Sequence, residues 1–134
     1  MLRKRPLIAV VDDDTALLDL ICDLLADEGY EVVCCQFAHE AQDMLRKHEP
    51  DLLILDIRLE EAEAGWTFLE LLRLVPATQN IPVLICSADS LFLNSHEEQI
   101  RSYSADILPK PFDLDELIQK IKGLLRQPLT EAEA

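Results

Sequence analysis

The chain has 134 residues, 49% of them hydrophobic and 28% charged, with a formal net charge of -14 at pH 7. That length suits one domain with a sizeable core, and the balance excludes a disordered polymer. The acidic excess argues against a general binder of nucleic acid or of anionic membrane, either of which needs a basic face, and favours cations and basic partner surfaces.

The first residues, Met1-Leu-Arg-Lys-Arg-Pro6, have the charge of a signal peptide. The apolar run that follows, Leu7 to Val11, is too short for a signal core and meets three acids at once. It reads instead as a strand buried on both faces. The acids are Asp12-Asp13-Asp14, after which Asp14 or Thr15 can cap a helix whose Leu17, Leu18, Ile21, Leu24 and Leu25 recur at helical spacing. Gly29 supplies its stop. Glu31 to Cys35 forms a short strand, and Ala38 to about Lys47 a helix with Ala41, Met44 and Leu45 inward.

Leu52-Leu53-Ile54-Leu55-Asp56 is the next buried strand, ending abruptly on a carboxylate. Residues 57–64 make a Glu-rich connection, and Gly65 opens a helix carrying Trp66, Leu69 and Leu72 that stops at Pro76. Ile81 to Cys86 is a fourth strand whose Pro82 is tolerated near its start. Ser87 follows. Residues 90–103 read as one helix with Leu91, Ser95 and Ile100 inward. Of the triplet Leu91-Phe92-Leu93, two are expected to pack and one to be exposed. Ile107-Leu108 is a minimal fifth strand leading into Pro109-Lys110-Pro111-Phe112. The last helix has the cleanest period, with Leu114, Leu117, Ile118, Ile121, Leu124 and Leu125.

Five alternations of strand and helix predict an α/β fold with a parallel sheet covered on both faces. Right-handed crossovers and five strands point to the flavodoxin-like doubly wound order 2-1-3-4-5 with five helices. One domain over residues 1–127 and a short acidic tail over 128–134 are expected, with no effector segment visible after Gln127. No segment is long enough to span a bilayer, so a cytoplasmic protein without membrane contact is expected. Cys22, Cys34, Cys35 and Cys86 form no CxxC pair and lie in apolar segments, which predicts buried thiols rather than disulfides or zinc ligands. His39, His48 and His96 lack ligand spacing and read as surface or cap residues.

Polar residues now stand at four strand ends: Asp12 and Asp13, Asp56, Ser87 and Lys110. In the order 2-1-3-4-5 the first and third strands are neighbours at the switch point, where ligands bind in such sheets, so three carboxylates converge beside a hydroxyl and an ammonium. Two carboxylates about 4 Å apart repel by roughly 4 kcal/mol at an effective dielectric near 20. Three must hold protons or a cation, and an all-oxygen set suits Mg²⁺. Asp56 can attack phosphorus as a carboxylate nucleophile, with Lys110 and the metal stabilising phosphoryl charge and Ser87 donating a hydrogen bond.

These residues, over about 6 to 126, resemble the receiver domain of two-component response regulators. The likeness lies in the acidic pair after Val10-Val11, Asp56 in Leu-Ile-Leu-Asp-Ile, Ser87 in Cys-Ser-Ala, and Lys110 in Pro-Lys-Pro-Phe before Asp113-Leu-Asp-Glu-Leu117. The resemblance implies Mg²⁺ held by Asp13, Asp56 and the backbone carbonyl of Arg58, with Asp12 acting through water. It implies phosphoryl transfer to Asp56 from a sensor histidine kinase or phosphotransfer protein, and a cis Lys110-Pro111 bond. It also implies a homodimer or effector face on the fourth helix, fifth strand and last helix, without direct contact to nucleic acid. Such a domain is a phospho-acceptor and no enzyme towards other substrates.

The sequence departs from the family in three places. Glu60 and Ala64 stand where Pro and an acid are usual, the run to Gly65 is one residue longer, and Ile107 occupies the place of the switch aromatic. Arg58 and Asp89 fall two residues after Asp56 and Ser87, where an ion pair would cover an acyl phosphate. Two other readings stay open. One is a degenerate receiver acting as an unphosphorylated interaction module. The other is a haloacid dehalogenase-type phosphatase, whose DxDxT pattern would need Thr at position 16, which Thr15 misses by one.

Overall fold

The computed structural model describes residues 5–56 and 64–125. Five strands, β1 (Leu7–Val11), β2 (Glu31–Cys35), β3 (Leu52–Asp56), β4 (Val83–Ser87) and β5 (Ala105–Pro109), form one parallel sheet in the expected order 2-1-3-4-5. Helices α1 (Thr15–Asp27), α2 (Ala38–His48), α3 (Ala64–Leu74), α4 (Ser90–Ser95), α5 (Glu97–Ser102) and α6 (Leu114–Leu125) cover its faces.

Alternation along the buried strands divides the core in two. Ala9, Val11, Leu53, Leu55, Val83 and Ile85 meet Ala41 and Leu45 of α2, Leu69 and Leu72 of α3, Leu93 of α4 and Ile100 of α5. Ile8, Val10, Leu52, Ile54, Leu84 and Cys86 meet Leu18, Ile21 and Leu25 of α1 and Leu117, Ile118 and Ile121 of α6. Both faces of β1, β3 and β4 are therefore dry, which is why these segments read as continuous apolar runs. Each fully buried Leu or Ile contributes about 1.5–3 kcal/mol. α1 begins as expected at Asp14, whose side chain accepts the Leu17 N–H, and the chain leaves it through Gly29 at φ 94°. There only glycine avoids the left-handed penalty.

Several expectations need correction. The single helix over 90–103 is two short ones meeting at His96, which ends α4 and precedes α5, so the described residues form six helices rather than five. Asp89 caps α4 by accepting the Phe92 N–H, and this start sets a helical phase in which Leu93 is buried. Leu91, expected inward, is 82% exposed, and Ser95 is also at the surface. β4 starts and ends one or two residues later than read, because Pro82 has no N–H to give, and Ser87 becomes its last residue. β5 is longer than its two-residue core.

Cys22 and Cys34 are joined in a disulfide, contrary to the expectation of four thiols, while Cys35 and Cys86 remain buried thiols. The pairing follows from the pleat. Cys34 and Cys35 are neighbours in a strand and so face opposite sides of the sheet. Cys35 packs into the α2–α3 core, whereas Cys34 faces α1, where Cys22 lies. A second tie was also unforeseen. Arg73 of α3 donates from Nε to the Tyr103 carbonyl at 2.7 Å and from Nη1 to the carbonyls of Gln79 and Ile81 at 3.0 and 2.8 Å.

Candidate functional site

The register brings the polar strand ends together. Val11 pairs with Leu55, and Asp56 with Cys86, so Asp12 and Asp56 leave adjacent strands at neighbouring levels. Ser87 pairs with Pro109, and the Lys110 N–H donates to the Ser87 carbonyl at 2.9 Å. All five expected side chains thus stand at one end of the sheet. Asp12, Asp56 and Ser87 are buried at 3%, 8% and 2% exposure, while Asp13 is exposed.

One carboxylate oxygen from each of Asp12, Asp13 and Asp56 falls within 4.8 Å of the others. Local hydrogen bonds hold the set. The Asp12 N–H donates to the Cys35 carbonyl at 3.1 Å, and Asp12 Oδ1 accepts the Asp14 N–H at 2.9 Å. Lys110 Nζ donates to Asp12 Oδ2 at 2.8 Å and lies 3.5 Å from Asp56 Oδ2. Burial pulls the Lys110 ammonium down, but its hydrogen bond to Asp12 and the charges of Asp12 and Asp56 outweigh that and hold it above the usual range. The lysine is therefore a fixed cation. Beside it, burial pushes the Cys86 thiol up to about 12; Lys110 opposes this, and Asp12 and Asp56 add to it. Cys86 is a neutral, inert wall of the pocket.

The donor set fits a hard divalent cation: oxygen-only, anionic, and open on the Asp13 side. Ser87 Oγ accepts the Asp89 N–H at 3.1 Å, which leaves the hydroxyl proton to be donated elsewhere. The expected cis Lys110-Pro111 bond is present. Arg58, expected to contribute its backbone carbonyl and an ion pair to Asp89, lies outside the described residues, as do Glu60 and the rest of residues 57–63. Ile107, in the place of the family's switch aromatic, packs partly buried against the α3–α5 core.

What sequence reasoning missed lies next door. The ring of Trp66 meets Phe92 edge-on at 6.2 Å and Tyr103 at 5.6 Å, and His96 stacks on Phe92 at 4.1 Å. Their apolar spacing was visible, but their convergence required knowing where the helix breaks. The Tyr103 hydroxyl also donates to Glu70 at 3.3 Å.

Comparison with known proteins adds four findings. A family model described as the response regulator receiver domain matches residues 8–122. The chain is 33% identical over 125 residues to a DNA-binding dual master transcriptional regulator, RpaA, of Synechocystis, covering 91% of this chain and 50% of that protein. It is 34% identical over 131 residues to the response regulator MprA of Mycobacterium avium, covering 95% and 54%. The structure superposes on a CheY-like response regulator receiver domain protein from Methanospirillum hungatei with a TM-score of 0.82 and 29% identity, covering 98% and 100%. The chain thus spans about half the length of the curated relatives it matches. One of these is named as DNA-binding, so the expectation of no contact with nucleic acid is not extended to a whole protein of that size. Among the described residues no helix is long and apolar enough to cross a membrane.

Proposed function

The chain belongs to the response regulator receiver domain family of two-component signalling, and from that premise we propose that Asp56 is its phospho-acceptor and Mg²⁺ the cation of its acidic pocket. The observation that carries this reading is the Lys110 ammonium, 2.8 Å from Asp12 and 3.5 Å from Asp56, at the mouth of a three-carboxylate cluster. That geometry matches a site in which a negatively charged group arrives at Asp56 and must be neutralised from two sides.

The chemistry follows from the donors. An Asp56 carboxylate oxygen attacks the phosphorus of a phosphohistidine on a histidine kinase or phosphotransfer protein. The P–N bond breaks, and the imidazole nitrogen keeps the electron pair and takes up a proton. Mg²⁺ held by Asp13, Asp56 and the Arg58 carbonyl, with Asp12 acting through water, would neutralise charge on the phosphoryl oxygens. Lys110 then turns from Asp12 towards a phosphoryl oxygen, and Ser87 donates its hydroxyl proton to another. Because Ser87 Oγ is also the acceptor for Asp89, which caps α4, this second contact pulls on the first turn of α4.

We place the output face on α4, β5 and α6. Support comes from a groove of about 490 Å³ between β5 and α6, lined by Asp106, Leu108, Glu116, Lys120 and Leu124, and from the exposed Leu91. The acidic wall of that groove suits a basic partner surface. The domain acts on no other substrate in this reading, and the phosphatase alternative is not carried forward. The test is Mg²⁺-dependent labelling with acetyl phosphate, comparing the natural chain with Asp56→Asn. Labelling is expected only in the former. Label retained by the variant would move the acceptor to another residue.

A further inference from the structure

The disulfide lies outside the phosphoryl chemistry and has its own logic. Cys22 is on α1 and Cys34 on the edge strand β2, separated by 12 positions that include the Gly29 turn. Cys34 is exposed and Cys22 half-buried, whereas Cys35 and Cys86 are only 8% and 2% exposed. Cys35, next in sequence, points through the sheet into the opposite core. One pair of the four cysteines is therefore both juxtaposed and open to a reagent. The backbone of β2 continues from Cys34 to Cys35, whose carbonyl receives the Asp12 N–H.

We propose that Cys22 and Cys34 form a reversible thiol–disulfide modification site, with Cys34 as the entry sulfur and Cys22 as the resolving one, whose co-reactant is a small neutral disulfide–thiol couple. Exposure selects Cys34 for first attack, because an exchange reaction needs room for three sulfurs in line. Acidic neighbours select the reagent. Asp19 and Asp23 sit on the same helix as Cys22, within four residues of it, so an anionic disulfide is repelled while a neutral one is not.

In the oxidising direction the Cys34 thiolate attacks the small disulfide, forming a mixed disulfide and releasing one small thiol. The Cys22 thiolate then attacks the Cys34 sulfur, closing the Cys22–Cys34 bond and releasing the second small thiol. Two cysteine thiols lose two electrons and two protons, and one small disulfide gains them. The closed bond clamps α1 to the sheet edge. Opening it leaves β2 held on that side by packing and by its single ladder with β1.

The experiment uses the full chain and hydroxyethyl disulfide, with mercaptoethanol as its reduced partner. After oxidation and denaturing alkylation, two thiols should be modified, at Cys35 and Cys86, and peptide mapping should find Cys22 linked to Cys34. Reduction should expose all four and lower the melting temperature by on the order of 10 °C, as expected for opening a loop of this length in a domain of this size. In Cys22→Ser the reagent should stop at a mixed disulfide on Cys34, and the melting temperature should no longer respond to reductant. Hydroxyethyl disulfide should act several-fold faster than glutathione disulfide. Four modifiable thiols after oxidation, a linkage that includes Cys35 or Cys86, or a mixed disulfide trapped elsewhere than Cys34 would overturn the assignment. An unchanged melting temperature on reduction of the natural chain would overturn the clamp. Asp56 labelling is read separately, so failure here leaves the phospho-acceptor reading untouched.

Discussion

Replacing Lys110 by Met tests the electrostatic design of the pocket most directly. Lys110 stands 2.8 Å from Asp12 and 3.5 Å from Asp56. At an effective dielectric near 20 these distances correspond to about 6 and about 5 kcal/mol of attraction. Against that stand three carboxylates whose ligand oxygens are within 4.8 Å of one another, so that each pair repels by at least about 3.5 kcal/mol at the same dielectric. Attraction and repulsion are thus of similar size, and without divalent ions the lysine is what keeps the pocket near balance. Desolvation and the exposure of Asp13 reduce the net effect, so Lys110→Met should cost about 3 kcal/mol, in the range for stranding a buried charge. Urea unfolding in EDTA at pH 7.5 reads this number. Saturating Mg²⁺ supplies the missing positive charge, so the deficit should shrink to about 1 kcal/mol or less, and the variant should bind Mg²⁺ at least tenfold more tightly than the natural chain. Equal destabilisation with and without Mg²⁺ would refute the balance and reduce Lys110 to a packing residue.

The other predictions concern separate parts of the molecule. Trp66 is the only tryptophan, and Phe92, capped through Asp89, touches it, so acetyl phosphate with Mg²⁺ should change its emission; the response should vanish in Asp56→Asn and weaken in Phe92→Ala. The Asp106 carboxyl is raised by burial but lowered further by the Ile107 N–H, Lys120 and Arg101, so it titrates below its ordinary value of 3.8. Its contribution is therefore present above that value and lost as pH falls through the lower folded pKa; Asp106→Asn should cost about 0.5–1 kcal/mol at pH 7, with the gap to the natural chain closing as acid takes the pH through that lowered pKa. Gly29→Ala meets no neighbour within 4 Å but must adopt φ 94°, so denaturant melts should show a purely conformational loss of about 1–2 kcal/mol.

Much of this architecture was legible because apolar runs at β1, β3 and β4 admit only a two-sided sheet, and because the residues after them are chemically odd for strand ends. Asp12, Asp56, Ser87 and Lys110 stand out by position, since chain order plus crossover handedness fixes which strand ends meet, and the family resemblance singles out the same residues. Helix phase was harder. Leu91 and Ser95 read as inward only if one helix runs unbroken through 90–103, whereas the Asp89 cap and the break at His96 put Leu93 in the buried stripe and leave Ile100 inward on a separate helix. The Cys22–Cys34 bond escaped for a different reason: its partners are adjacent only through the packing of α1 on β2, a contact with no local signature. Arg73 escaped likewise, since its acceptors are backbone carbonyls, which every residue carries.

Arg73 has one more implication. By gripping the carbonyls of Tyr103, Gln79 and Ile81, its guanidinium welds α3, the approach to β4 and the corner before β5 into a single block. A tug arriving from Ser87 meets that block on one side and the break at His96 on the other. Between them lies the six-residue α4, Ser90–Ser95, which seats Leu93 in the core and presents Leu91 to solvent. On the proposed output face, Leu91 would thus be the apolar contact furthest from the sheet's fixed ties, next to the groove between β5 and α6.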